Sequence, residues 1–194
     1  MIERLIEMIL EKSFQLSDSP TFKLASGKLS NYYINCKPTT LNPEAMNLIG
    51  TIIFDKIKND NVDAIGGLSF GADPIANSVA IISYQKGTPI KSFSVREKTK
   101  DHGIIKKLEG DVHKGERAVI IDDVITTGES TIKAITSAKD AGLEVVRVIA
   151  LVDREEGGKE EILKHIKDFE SIITRTRLME AFKTRQLKKR TTSV

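Results

Sequence analysis

The chain has 194 residues, of which 40% are hydrophobic and 29% charged, and its net charge is +3. Those values fit one soluble globular domain with a sizeable core, and they exclude a low-complexity chain or a strongly basic nucleic-acid binder. A single cysteine, Cys36, excludes an internal disulfide, and no apolar run approaches membrane-spanning length, so a cytoplasmic location without a membrane partner is expected.

Residues 1–12 place apolar residues at helical spacing between charges, which predicts an amphipathic first helix rather than a secretion signal. Two short strands are predicted over 21–25 and 30–35, around a Ser26-Gly27-Lys28 turn. A helix follows over 43–58, with Asn42 as its N-cap and Pro43 in its first turn. Next come a strand at 63–67, a helix at 73–85 and a strand at 89–95. Residues 96–110 are polar, basic and without periodicity, as in a long loop. The run 118–122 reads as a buried strand, followed by a helix that Gly142 ends. A strand at 144–152, a helix at 156–167 and a strand at 170–173 complete the pattern. Residues 183–194 read as a basic, disordered tail. There is no repeat or linker, so 1–194 is taken as a single domain. Strands alternating with helices predict an α/β fold with a mostly parallel central sheet flanked by helices. Ligands of such sheets sit beyond the carboxyl ends of the strands, where 67–73, 96–110, 122–123 and 153–154 fall.

The most specific string is Ala118-Val119-Ile120-Ile121-Asp122-Asp123-Val124-Ile125-Thr126-Thr127-Gly128-Glu129-Ser130. A strand runs through two carboxylates into a tight loop and a helix start. The free N–H groups and the dipole of that helix favour an anion, and Thr126, Thr127 and Ser130 add hydroxyl donors. Asp122 and Asp123 suit neutral hydroxyl donors, such as a ribose diol, or the shell of a magnesium ion. Taken alone, Asp-Asp at a strand end is more simply a helix cap. A nucleotide-hydrolase reading needs a G-x-x-x-x-G-K-[ST] loop, and Gly27-Lys28-Leu29-Ser30 has the wrong spacing.

Three further stretches carry chemistry. Ile65-Gly66-Gly67-Leu68-Ser69-Phe70-Gly71-Ala72-Asp73-Pro74 is a second glycine-rich turn that suits an anion, or simply a tight turn with Asp73 capping a helix. Arg96-Glu97-Lys98-Thr99-Lys100-Asp101-His102-Gly103 places cations on a long loop, fit to stabilise charge on a leaving group and to exclude water. Val152-Asp153-Arg154-Glu155-Glu156 is a charged turn at another strand end. Cys36 reads as a packed thiol, and His113 and His165 as surface residues.

The string from Asp122 to Ser130 resembles the phosphoribosyl diphosphate (PRPP) motif of type I phosphoribosyltransferases. The resemblance implies that Asp122 and Asp123 hold the ribose hydroxyls. The loop entered through Val124 and Ile125 then holds the 5-phosphate with Thr126, Thr127, Gly128, Glu129 and Ser130. It also implies that the glycine-rich turn meets the diphosphate. Lys100-Asp101-His102-Gly103 is similar to the mobile loop of the orotate phosphoribosyltransferase family. There Arg96, Lys100 and His102 would contact the diphosphate, with Lys100 and His102 stabilising the leaving group. The family further implies a homodimer in which each 96–110 loop completes the neighbour's site. Two positions depart from that pattern: Glu97 stands where lysine is usual, and Ile104-Ile105 replaces a second glycine. Arg154 would pair with orotate, opposite the Thr126 hydroxyl. The stretch from Phe22 to Tyr33 resembles the family's hood over the base, to which about 1–40 would contribute. Mg2+ is the implied cofactor, held through PRPP near Asp122 and Asp123. The implied reaction transfers 5-phosphoribosyl from PRPP to N1 of orotate, with no nucleic-acid partner. A phosphoribosyltransferase for another base, and a non-catalytic PRPP-sensing regulator, are the alternatives.

Overall fold

The computed structural model describes residues 1–23, 29–96 and 107–191. Helix α1 (Ile2–Lys12) leads into β1 (Phe14–Leu16), β2 (Phe22–Lys23), β3 (Leu29–Ser30) and β4 (Tyr32–Ile34). Short helix α2 (Lys37–Thr40) and α3 (Pro43–Ile57) follow, then β5 (Ala64–Leu68), α4 (Asp73–Gln85), β6 (Lys91–Val95) and β7 (Leu108–Glu109). The second half contains β8 (Arg117–Ile125), α5 (Glu129–Asp140), β9 (Glu144–Asp153), α6 (Gly158–Ile162), β10 (Phe169–Thr174) and α7 (Arg175–Thr191).

Six strands form the central sheet in the order β10-β9-β8-β5-β6-β7, all parallel except the antiparallel edge strand β7. Strand β8 shows why its apolar run is continuous. Val119 and Ile121 pack with α1, α3 and α4, while Ala118 and Ile120 pack with Ala134, Ile135 and Ala138 of α5. Both faces are covered, so successive residues alternate between two cores rather than between core and water. Parallel pairing brings the carboxyl ends of β5, β6, β8 and β9 to one edge. A separate hood lies before the sheet: β1 pairs antiparallel with β4, and β2 with β3.

The expected α/β architecture stands, with three local corrections. The helix expected over 156–167 is only the five residues of α6. Beyond Ile162 the chain tightens into i−3 bonds, from Lys164 N–H to Glu161 O and from His165 N–H to Ile162 O, and then turns into β10. The tail expected to be disordered from 183 continues α7 to Thr191. Helix α7 is tied to α1 by two ion pairs, Arg177 with Glu3 and, within the expected tail, Arg185 with Glu11. Buried Leu178, and Phe182 lying 5.5 Å from Phe14, supply the apolar contact. The 96–110 loop contains β7, whose pairing with β6 closes its base. Asn42 does cap α3, its side chain accepting from the Glu44 and Ala45 N–H groups.

Candidate active site

Asp122 and Asp123 lie near the end of β8 and are almost fully buried. The strand turns them to opposite sides. Asp122 Oδ2 accepts the Thr131 hydroxyl of α5 at 2.6 Å, and its Oδ1 accepts the Asp123 N–H at 3.0 Å. Asp123 Oδ1 accepts the Val124 N–H at 3.0 Å and faces Gly71, where an added Cβ would stand 2.4 Å from that oxygen. Only glycine leaves room for the glycine-rich turn to close over this carboxylate. Burial pushes both carboxyl groups up, Asp122 to about 7, against the lowering effects of the Thr131 bond on Asp122 and of Lys37 on Asp123. Two acids held this way are poised to gain hydroxyl donors or a cation.

The loop after β8 delivers the N-terminus of α5. Gly128 is its N-cap at φ 83°, and no side chain caps the helix. A Cβ there would lie 2.9 Å from the Gly158 carbonyl, so the turn requires glycine twice over. Val124 is partly buried and Ile125 is core, so within the motif their contribution is backbone. Glu129 turns outward to Lys133 at 2.7 Å, leaving its N–H at the helix start. Thr127 and Ser130 are exposed, and Thr126 half-buried, at the mouth of this cup.

The second glycine-rich turn connects β5 to α4. Asp73 is the first helical residue rather than the cap, and its Oδ2 accepts the Ser69 hydroxyl at 3.1 Å. Ser69 also bonds Ser94 at the end of β6. Arg96 sits at the base of the long loop, where its N–H donates to Lys107 O and its side chain pairs with Glu109 at 3.1 Å. Lys100 and His102 lie outside the described residues.

Arg154 follows β9 and is 6% exposed. Its backbone N–H donates to Ile125 O at 3.0 Å, which places it beside Thr126 and the loop that leads into α5. Its Nε donates to Glu156 Oε1 at 3.1 Å and to the Tyr32 hydroxyl at 3.4 Å. The guanidinium lies 4.8 Å over the Tyr32 ring, so strand β4 brings the hood to this residue. Nη2 is buried and lies 3.0 Å from Glu156 Oε1, an ion pair without hydrogen-bond geometry. Sequence reasoning missed Glu156, Thr131, Lys37 and the contact with Tyr32. Glu156 and Tyr32 stand in stretches already singled out and Thr131 directly follows Ser130, whereas Lys37 carries no local signal.

Among the described residues, no three His, Cys, Asp or Glu side chains are close enough to cage a metal ion. The hard oxygens of Asp122 and Asp123 suit Mg2+ shared with a polyanionic substrate. No described helix is long and apolar enough to cross a membrane. Cys36 is a buried thiol whose pKa is raised by burial, and His113 and His165 are exposed.

Comparison with known proteins agrees with this geometry. The phosphoribosyl transferase domain family matches residues 40–181. The orotate phosphoribosyltransferase of Aquifex aeolicus (strain VF5) is 47% identical over 162 residues, covering 84% of this chain and 88% of its own. Among solved structures, Mycobacterium tuberculosis H37Rv orotate phosphoribosyltransferase in complex with Fe(III) dicitrate superposes with a TM-score of 0.78 at 31% identity, covering 91% of this chain and 98% of that one. The same enzyme in complex with PRPP gives a TM-score of 0.72 at 26% identity, covering 91% and 90%. The chain belongs to the phosphoribosyl transferase domain family, among the orotate phosphoribosyltransferases.

Proposed function

We propose that this protein transfers the 5-phosphoribosyl group of PRPP to N1 of orotate, giving orotidine 5'-phosphate and diphosphate. The bond from ribose C1 to the diphosphate oxygen breaks with its electron pair leaving on that oxygen, the bond from C1 to N1 forms, and the N1 proton passes to the departing diphosphate or to solvent. The observation that carries the reading is Arg154, a buried guanidinium at the end of β9 whose backbone N–H is bonded to Ile125 O at the end of the strand that carries Asp122 and Asp123. A planar fork of that kind matches a ring carboxylate, which a purine lacks.

Each residue then has a task. Asp122 and Asp123 accept the ribose hydroxyls. The N–H groups at the start of α5, with the hydroxyls of Thr126, Thr127 and Ser130, hold the 5-phosphate. The turn around Gly71 faces the diphosphate. Arg96, Lys100 and His102 stabilise its departure, and Lys100 and His102 act from the long loop. Thr126 and Arg154 hold orotate from two sides. Mg2+ supplies neutralisation of diphosphate charge when bound with PRPP. No nucleophilic side chain is required, because positioning and fixed charges lower the barrier. The working unit is a homodimer in which the 96–110 loop completes the neighbouring site, and the compartment is the cytoplasm.

Incubating the protein with PRPP, Mg2+ and a panel of orotate, uracil and purines, with diphosphate detection, tests this. Orotate alone should turn over. Turnover of a purine without orotate would establish the other-base alternative, and PRPP binding by calorimetry without turnover of any base would favour the regulator.

A further inference from the structure

Arg154 is more than a free cation at the base site. Its Nε bonds Glu156 Oε1, Nη2 approaches the same oxygen, and the Tyr32 hydroxyl donates to that oxygen as well. The Glu156 side chain is 27% exposed and that of Arg154 only 7%, so the carboxylate is the partner of a nearly buried charge. The Tyr32 ring below is in turn approached by a second guanidinium, with Arg175 at 6.0 Å. We propose that Glu156 is a positioning residue that sets anion affinity at the base site: it fixes the guanidinium and partly neutralises it before substrate arrives. The proposal rests on the orotate reading above.

The physical consequence has two opposing parts. Glu156 aims Arg154, because a guanidinium bonded through Nε cannot rotate freely and presents its remaining donors in one plane. Glu156 also opposes the ligand, because a ring carboxylate entering the same guanidinium meets a like charge. Glutamine and alanine separate these parts. Glu156→Gln keeps an oxygen acceptor for Arg154 Nε and the Tyr32 hydroxyl but removes the charge. Glu156→Ala removes both.

The test is the KM for orotate at saturating PRPP and the Kd for orotidine 5'-phosphate, in wild type and both variants. In Glu156→Gln both constants should fall, by about three- to tenfold, as expected from losing one close like charge. In Glu156→Ala both should rise by about tenfold, while kcat changes less than KM and the KM for PRPP stays put in either variant. A purely structural role would move both variants the same way. If wild type uses orotate but the two variants shift together or not at all, the proposal is overturned and the function stands. If wild type does not use orotate, both fall.

Discussion

The backbone N–H of Arg154 donates to the backbone carbonyl of Ile125 at 3.0 Å. Through this bond the residue proposed to hold the base is fixed to the strand end that carries Asp122, Asp123 and the loop proposed to hold the 5-phosphate. Side chains can adjust by rotamer, but a backbone bond between neighbouring parallel strands holds the two sites at one separation. For a transfer reaction that fixed separation is the useful quantity, since C1 of the sugar and N1 of the base must meet in line.

Arg154→Lys should therefore damage base use selectively. Lysine keeps the charge but offers no planar pair of donors, and it cannot hold the Nε bond to Glu156. A loss of about 2–3 kcal/mol, or roughly 30- to 150-fold in kcat/KM for orotate, is expected. Steady-state kinetics with each substrate varied in turn would check it. An equal loss in kcat/KM for PRPP at saturating orotate would show that Arg154 supports the whole site rather than the base.

Asp122 gives a pH dependence with a defined sign. Its carboxyl rises from 3.8 to about 7 in the folded protein, because burial disfavours the charged form. Between those values the folded state binds more protons than the unfolded state, so stability falls as pH rises through that window. Above it the whole penalty is present. Denaturant unfolding of the ligand-free protein should show wild type gaining on Asp122→Asn as pH falls from 7 towards 3.8, the window set by those two values. PRPP with Mg2+, bound at Asp122 as proposed, would favour the charged carboxylate, so calorimetry near neutral pH in buffers of different ionisation enthalpy should detect proton release. Parallel stability curves for the two proteins would contradict the assignment.

The parts that the sequence revealed and those it concealed differ in physical kind. The 118–130 string was readable because its signals are local: a covered strand shows as an apolar run, and a helix start shows as hydroxyls and glycine. Helix α4 and the Asn42 cap were legible for the same reason. The tail was misread because its helix is held by charges on α1, some 174 positions away, between Arg185 and Glu11. Helix α6 was overextended because charged residues at helical spacing do not reveal that the chain must turn back to the sheet. In the site, the Tyr32–Arg154–Glu156 cluster joins the hood to the end of β9, and no spacing rule reports a contact 122 residues apart.

Gly71 is a second place where tertiary contact, not local pattern, sets the requirement. A Cβ at this position would stand 2.4 Å from Asp123 Oδ1 and 2.8 Å from its carboxyl carbon. Asp123 is nearly buried and cannot swing away without losing its bond from the Val124 N–H. Gly71→Ala should therefore displace the carboxylate rather than unfold the chain, with stability reduced by about 1 kcal/mol. Activity should fall by more than tenfold, a loss of over about 1.4 kcal/mol, chiefly as a higher KM for PRPP. Unfolding midpoints and PRPP kinetics measured together decide the matter. A variant with native KM for PRPP would mean that Asp123 does not need its present position.

The proposed sharing of sites across a homodimer predicts complementation between two inactive proteins. Lys100→Ala removes a loop cation that acts, in the proposed dimer, on the neighbour's substrate. Asp123→Asn removes the carboxylate proposed to hold the ribose in its own subunit. Each homodimer carries the defect in both sites and should be nearly inactive. In the heterodimer one site combines both defects, while the other pairs an intact loop with an intact carboxylate. Co-expression with two different affinity tags, followed by sequential purification, isolates that species. It should show about half the wild-type turnover per dimer, because one of two symmetry-related sites is whole. If each loop instead served its own subunit, every site in the heterodimer would keep one defect and the purified species would stay inactive. The two topologies therefore give opposite results from the same sample, and sedimentation of that sample reports directly whether the dimer exists.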